Sequence, residues 1–113
     1  MMDERRGGER VAILGSVPGS ATVSQPVVIT ELGPLGAQIE SPVALHIDSV
    51  HDFRIVLGDT AVVVRGRVVH CHVSDIDHMG VAYKAGIEFL DTPAGTRQAI
   101  AAFVAGMKAE RRG

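Results

Sequence analysis

Phe53-Arg54-Ile55-Val56-Leu57-Gly58-Asp59-Thr60-Ala61-Val62-Val63-Val64 decides the fold of this chain. Phe53, Ile55 and Leu57 fall on one face of a strand at period two, and Gly58-Asp59 is a two-residue hairpin signal. It joins Phe53–Leu57 to a long strand, Thr60–Val73, in which Gly66 reads as a bulge or sharp bend. Downstream, residues 74–80 form a polar loop, and the next strand puts Val81, Tyr83, Ala85, Ile87 and Phe89 on one side. Upstream, the alternating run Val11–Leu14 breaks around Pro18-Gly19, and a strand from Thr22 to Thr30 carries Pro26 at an edge or bulge. Residues 31–36 read as a turn with Gly33, Pro34 and Gly36, followed by a short strand over 37–40. Val43, Leu45 and Ile47 share the face of a further strand.

After residue 91 the period changes. Thr92 reads as a helix cap and Pro93 as a first-turn residue, while Ile100, Phe103, Val104 and Met107 recur at helical spacing. Lys108, Arg111 and Arg112 suit the negative end of the helix dipole. The fold class expected is therefore mostly all-β, a small six-stranded antiparallel barrel with a C-terminal α-helix. Curling into a barrel removes sheet edges, and the helix would cover an opening or flank. We expect one domain over residues 1–113: an N-terminal segment 1–10, a barrel 11–90 and a helix 92–110.

With 113 residues the chain can bury a core without metal or disulfide support. A formal net charge of −2 excludes general nucleic-acid binding, which needs a basic face. Three Phe and one Tyr leave few platforms for stacking single strands. Cys71 is the only cysteine, so no internal disulfide forms, as suits a reducing cytoplasm. No apolar run spans a membrane and no signal peptide is readable, so we expect a cytoplasmic protein, monomeric or weakly homodimeric.

Against that background Glu4-Arg5-Arg6-Gly7-Gly8-Glu9-Arg10 stands out, with three arginines in six residues just before the first strand. Guanidinium forks bind phosphate in bidentate fashion and stack on aromatic rings, and a nucleotide offers both surfaces. The alternative is a solvated terminus, because Asp3, Glu4 and Glu9 balance the charge.

The Arg6-Gly7-Gly8-Glu9-Arg10 segment has the form RxxxR, and Glu31-Leu32-Gly33-Pro34-Leu35-Gly36 follows about twenty residues later. The chain continues through Gly66-Arg67-Val68-Val69 and ends its strands with Tyr83-Lys84-Ala85-Gly86-Ile87-Glu88-Phe89. In this order and spacing the sequence resembles the PilZ domain family over roughly Glu4 to Asp91. That family pairs RxxxR with a (D/N)xSxxG turn and closes its barrel with a G-(V/I)-E-F strand. The resemblance implies a PilZ-like split barrel that binds cyclic di-GMP, with Arg6 and Arg10 on phosphate and guanine and Arg5 assisting. Glu31, Gly33 and Gly36 would be the turn half of the site. It also implies that the N-terminal segment orders over the barrel with ligand, an output for a partner not identified by the sequence. The turn departs from the family: Glu31 is one methylene longer than Asp, Gly33 lacks the serine hydroxyl, and Gly36 matches.

Other constellations carry less. His70 and His72 point the same way on a strand near Asp75, Asp77 and His78, which could hold a metal, but no CxxC, HExxH or second cysteine joins them. Cys71 faces away from both neighbours, so a thiolate–imidazole pair is not expected. His46, Asp48 and His51 read as solvated turn residues. Ser16, Ser20 and Ser24 lack a G-x-S-x-G elbow, and GxGxxG is absent. We therefore expect no enzyme, no metal and no cofactor, but either a cyclic di-GMP receptor or a degenerate barrel that binds protein alone.

Overall fold

A computed structural model of the chain describes residues 10–21, 25–78 and 80–112. The strands are β1 (Val11–Ala21), β2 (Gln25–Gly33), β3 (Gly36–Ser41), β4 (Val50–Leu57), β5 (Thr60–Asp77) and β6 (Gly80–Leu90), followed by α1 (Ala94–Arg112). All neighbours are antiparallel and the sheet closes in the order β1-β2-β3-β6-β5-β4. Closure is made where Gly19, Ser20 and Ala21 of β1 meet Ile55, Arg54 and Phe53 of β4. The hairpin at Gly58-Asp59 forms as its sequence demands: Leu57 faces Thr60, and Gly58 adopts φ 63°, where glycine carries no Cβ penalty.

Alternate residues fill the barrel. Ile29, Leu32, Ile39, Ile55, Val68 and Ile87 are almost wholly buried. A cavity of about 10 Å³ remains among Val27, Ile39, Phe53 and their neighbours, scarcely room for one water. That space is too small for a nucleotide. Ile100 and Val104 of α1 complete the core, with Ile100 fully buried. Ile100→Val is expected to cost about 0.5–1.5 kcal/mol of unfolding free energy in a urea titration, the usual cost of one buried methyl group.

Several expected boundaries move. β1 runs through the predicted break to Ala21, and β2 begins at Gln25 and continues to Gly33, so only Pro34 and Leu35 make the turn. Val43, Leu45 and Ile47 do not form a strand: residues 42–49 are bends and turns, with Val43 and Ile47 exposed. Pro42 opens that segment and Asp48 sits at φ 73°, a conformation no strand contains. The expected polar loop over 74–80 is instead the end of a long β5–β6 hairpin, in which Asp77 faces Gly80. Gly66 is not bulged. It is required because a Cβ there would lie 2.4 Å from Ile87 Cγ2 and 3.0 Å from Phe53. The bulges on β5 fall later, between Val68 and His70 and between Val73 and Asp75. The helix starts two residues beyond Thr92, because the Pro93 carbonyl accepts its first hydrogen bond, from Arg97 N–H.

Candidate functional site

Strand period alone would put Glu31 inside the barrel, in phase with the buried Val27 and Ile29. A register shift in β2 between Ile29 and Glu31 prevents this. Thr30 is the extra residue, and its hydroxyl donates to the Gln38 carbonyl at 3.1 Å. The phase changes there, so Leu32 becomes fully buried and Glu31 turns to the outer face.

On β1, Val11 is buried opposite Leu32, and Ala12 is exposed opposite Glu31. Carried one residue further, the same register sets Arg10 opposite Gly33 on the outer face. Gly33 pairs with Gly36, and Gly36 pairs with Glu88 on β6. Arg10 and Glu88 thus flank two successive positions without side chains, across three strand spacings or about 14 Å. Gly36 could carry nothing larger, since a Cβ there would lie 2.4 Å from the Ile87 carbonyl oxygen. The neighbouring row runs Ala12, Glu31, Gln38, Gly86 and His70, and the His70 ring lies over Gly86. The two rows carry no side chain at Gly33, Gly36 and Gly86, whose backbone is itself buried, with a guanidinium at one side, a carboxylate beside it and an imidazole beyond. An anionic group can meet the half-buried arginine at this face, with the Glu31 carboxylate left to accept from a donor.

Glu88 belongs to a second charged group that the sequence reading did not single out as a site. Arg67 donates to Glu88 Oε1 and to Asp48 Oδ1, each at 2.6 Å. These two hydrogen bonds, that to Glu88 the stronger influence, push the Arg67 guanidinium above its ordinary pKa, so it stays charged at any physiological pH. Asp48 is held there by its own backbone, its N–H donating to the Val68 carbonyl at 2.7 Å while Val68 N–H donates to Ser49. Asp48 and His51, expected as solvated turn residues, thus have partners of their own: Ser49 Oγ lies 2.8 Å from His51 Nε2.

Of the residues expected to form the site, Arg10, Glu31, Gly33 and Gly36 come together on one outer face. Arg5 and Arg6 lie outside the described residues. His70 and His72 do share a direction, their rings stacked with centroids 5.9 Å apart. Among the described residues no group of three or more His, Cys, Asp or Glu side chains is placed to hold a metal ion. Cys71 is half-buried and packs against the core.

The PilZ domain family model matches residues 4–106. The PilZ domain of YcgR from Escherichia coli, determined with c-di-GMP, is similar with a TM-score of 0.76 at 14% identity, covering 96% of this chain and 95% of that one. The Bacillus subtilis inhibitor of motility MotI/DgrA gives a TM-score of 0.76 at 13% identity, covering 98% of this chain and 55% of that one. The K. pneumonia MrkH–c-di-GMP complex gives 0.77 at 13% identity, covering 99% and 57%. This chain thus spans about half the length of the last two proteins. No curated protein sequence matches it. Among the described residues no helix is long and apolar enough to cross a membrane. The match over residues 4–106 and the shared six-stranded barrel with its terminal helix place this chain in the PilZ domain family.

Proposed function

We propose that this domain is a non-catalytic cytoplasmic receptor module for cyclic di-GMP, held between the N-terminal arginine segment and the turn over residues 31–36. One observation carries the reading: β1 and β2 pair from Val11 opposite Leu32, so Arg10, the last arginine of RxxxR, leads into β1 beside the end of β2 at Gly33. Two motifs twenty residues apart in sequence thereby face one strip of outer surface. Cyclic di-GMP has the chemistry the strip asks for. Its phosphates suit guanidinium forks, and its guanines present N7 and O6 to an arginine. The Glu31 carboxylate accepts from guanine N1–H and N2–H. Similar structures described with c-di-GMP support the choice of ligand. Arg5 and Arg6 extend the site from the segment that precedes β1.

Isothermal titration of the chain with cyclic di-GMP tests this directly. A 1:1 or 2:1 ligand isotherm is expected, and no heat with protein and ligand both at about 100 µM would overturn it. Gly33→Ser restores the hydroxyl that the family's turn carries, and one added neutral hydrogen bond is expected to tighten binding by up to about tenfold. A barrel that recognises protein alone would show neither the isotherm nor the gain.

A further inference from the structure

Beyond Val68, β5 leaves its neighbour β4. The β4–β5 ladder ends at Arg67, and the last bonds on that side join Val68 to Asp48 and Ser49. Pairing with β6 continues to Asp77, so residues 70–77 form an arm whose other edge faces no strand among the described residues. The arm has two unlike faces. His70, His72 and Asp75 lie outward, opposite Gly86, Lys84 and Ala82. On the underside Cys71 reaches the core, while Val73, Ile76 and Val81 remain 47%, 70% and 40% exposed.

We propose that this edge is a homodimer interface: the β5 arm pairs antiparallel with the β5 arm of a second copy about a two-fold axis at Val73–Ser74. The edge is self-complementary in three independent ways. Polarity is the first, because this register sets the His72 imidazole, a hydrogen-bond donor, opposite the Asp75 carboxylate of the other copy. Hydrogen bonding is the second. Asp77 and Gly80 close the hairpin with their backbone groups toward each other, and alternation turns those of Ile76 outwards. The same alternation along His70–Val73 turns Cys71 outwards, and the register sets Cys71 opposite Ile76 of the second copy. Face is the third. The shift between Val73 and Asp75 changes the phase of the arm, so residues 72 and 75 share the outer face although an odd number of positions separates them. Without that bulge the register would set polar positions against apolar ones. Pairing the arms also sets the two exposed Val73–Ile76–Val81 undersides side by side on one face, so the apolar side chains nearest the seam shield one another.

Sedimentation velocity of the full chain tests the proposal without ligand. A dimer is expected at about 100 µM. His72→Asp sets Asp against Asp, and Asp75→Lys sets Lys against His. Each removes both His72–Asp75 pairs of the dimer, the first replacing them with like charges, and is expected to weaken association by about tenfold or more. In an equimolar mixture the introduced aspartate of one variant meets the introduced lysine of the other, and the native His72 meets the native Asp75. A heterodimer is therefore expected from two poor self-associators. Ile76→Pro removes an outward N–H and none directed at β6, and is expected to be monomeric with an unchanged far-ultraviolet spectrum. A monomeric wild type overturns the interface. A dimer indifferent to all three substitutions overturns this edge as its seat, and failure of the mixture to associate overturns the register.

Discussion

Gly36→Ala is expected to destabilise the domain by about 3 kcal/mol, a large fraction of the stability of a chain this size. The new methyl group would lie 2.4 Å from the Ile87 carbonyl oxygen and 3.5 Å from its carbon. These are backbone atoms of the neighbouring strand, so no rotamer change relieves the clash. Either β3 or β6 must move, and the ladder from Gly36–Glu88 to Ser41–Tyr83 is the longer of the two seams, with β1–β4, that join the halves of the barrel. Gly106→Ala is the control. It lies in α1 with nothing within 4 Å of a new Cβ, and the helix gains about 0.5–1 kcal/mol from reduced backbone freedom. Urea titrations of the two variants should therefore shift in opposite directions. A Gly36→Ala protein as stable as the wild type would mean that β3 and β6 are further apart than the pairing at Gly36 requires.

What could be read in advance follows from the range of each interaction. The Phe53–Val64 hairpin, the 81–89 strand and the helix were legible because local period and turn chemistry report them, and all three form. The strand expected at Val43, Leu45 and Ile47 has the right alternation, but among the described residues no strand pairs with it. Instead Asp48 is claimed by Arg67 and by the Val68 carbonyl, contacts across nineteen or more positions that no window contains. The bulges matter most for the site. Composition does not mark Thr30, Val69 or Ser74 as extra residues, yet these shifts turn Glu31 and His70 outwards and keep Asp75 in phase with His72. The arginine segment and the turn were visible as separate motifs. Their meeting was not, because it depends on a β1–β2 register with its own irregularity between Ala12 and Val17.

Arg10→Ala is expected to weaken cyclic di-GMP binding by roughly a hundredfold or more while leaving the thermal unfolding midpoint nearly unchanged. The two expectations come from the same position. Arg10 is half-buried just before β1 and makes no ion pair among the described residues, so folding loses little when its side chain is cut. A bound phosphate or guanine, by contrast, loses a bidentate, charge-assisted contact, and each such hydrogen bond contributes about 1.5–3 kcal/mol. At about 1.4 kcal/mol per tenfold, two bonds carry the affinity down by two decades or more. Arg10→Lys separates charge from geometry: it keeps the cation and loses the fork. If Arg10 acts as a fork on guanine or phosphate, lysine recovers only a minor part of the lost affinity. Full recovery would mean that Arg10 contributes charge alone. Calorimetry of all three proteins at one salt concentration, with their melting curves, decides the matter, because the electrostatic part of phosphate binding is salt-dependent. Unaltered affinity in Arg10→Ala would remove Arg10 from the site and, with it, the adjacency on which the receptor reading rests.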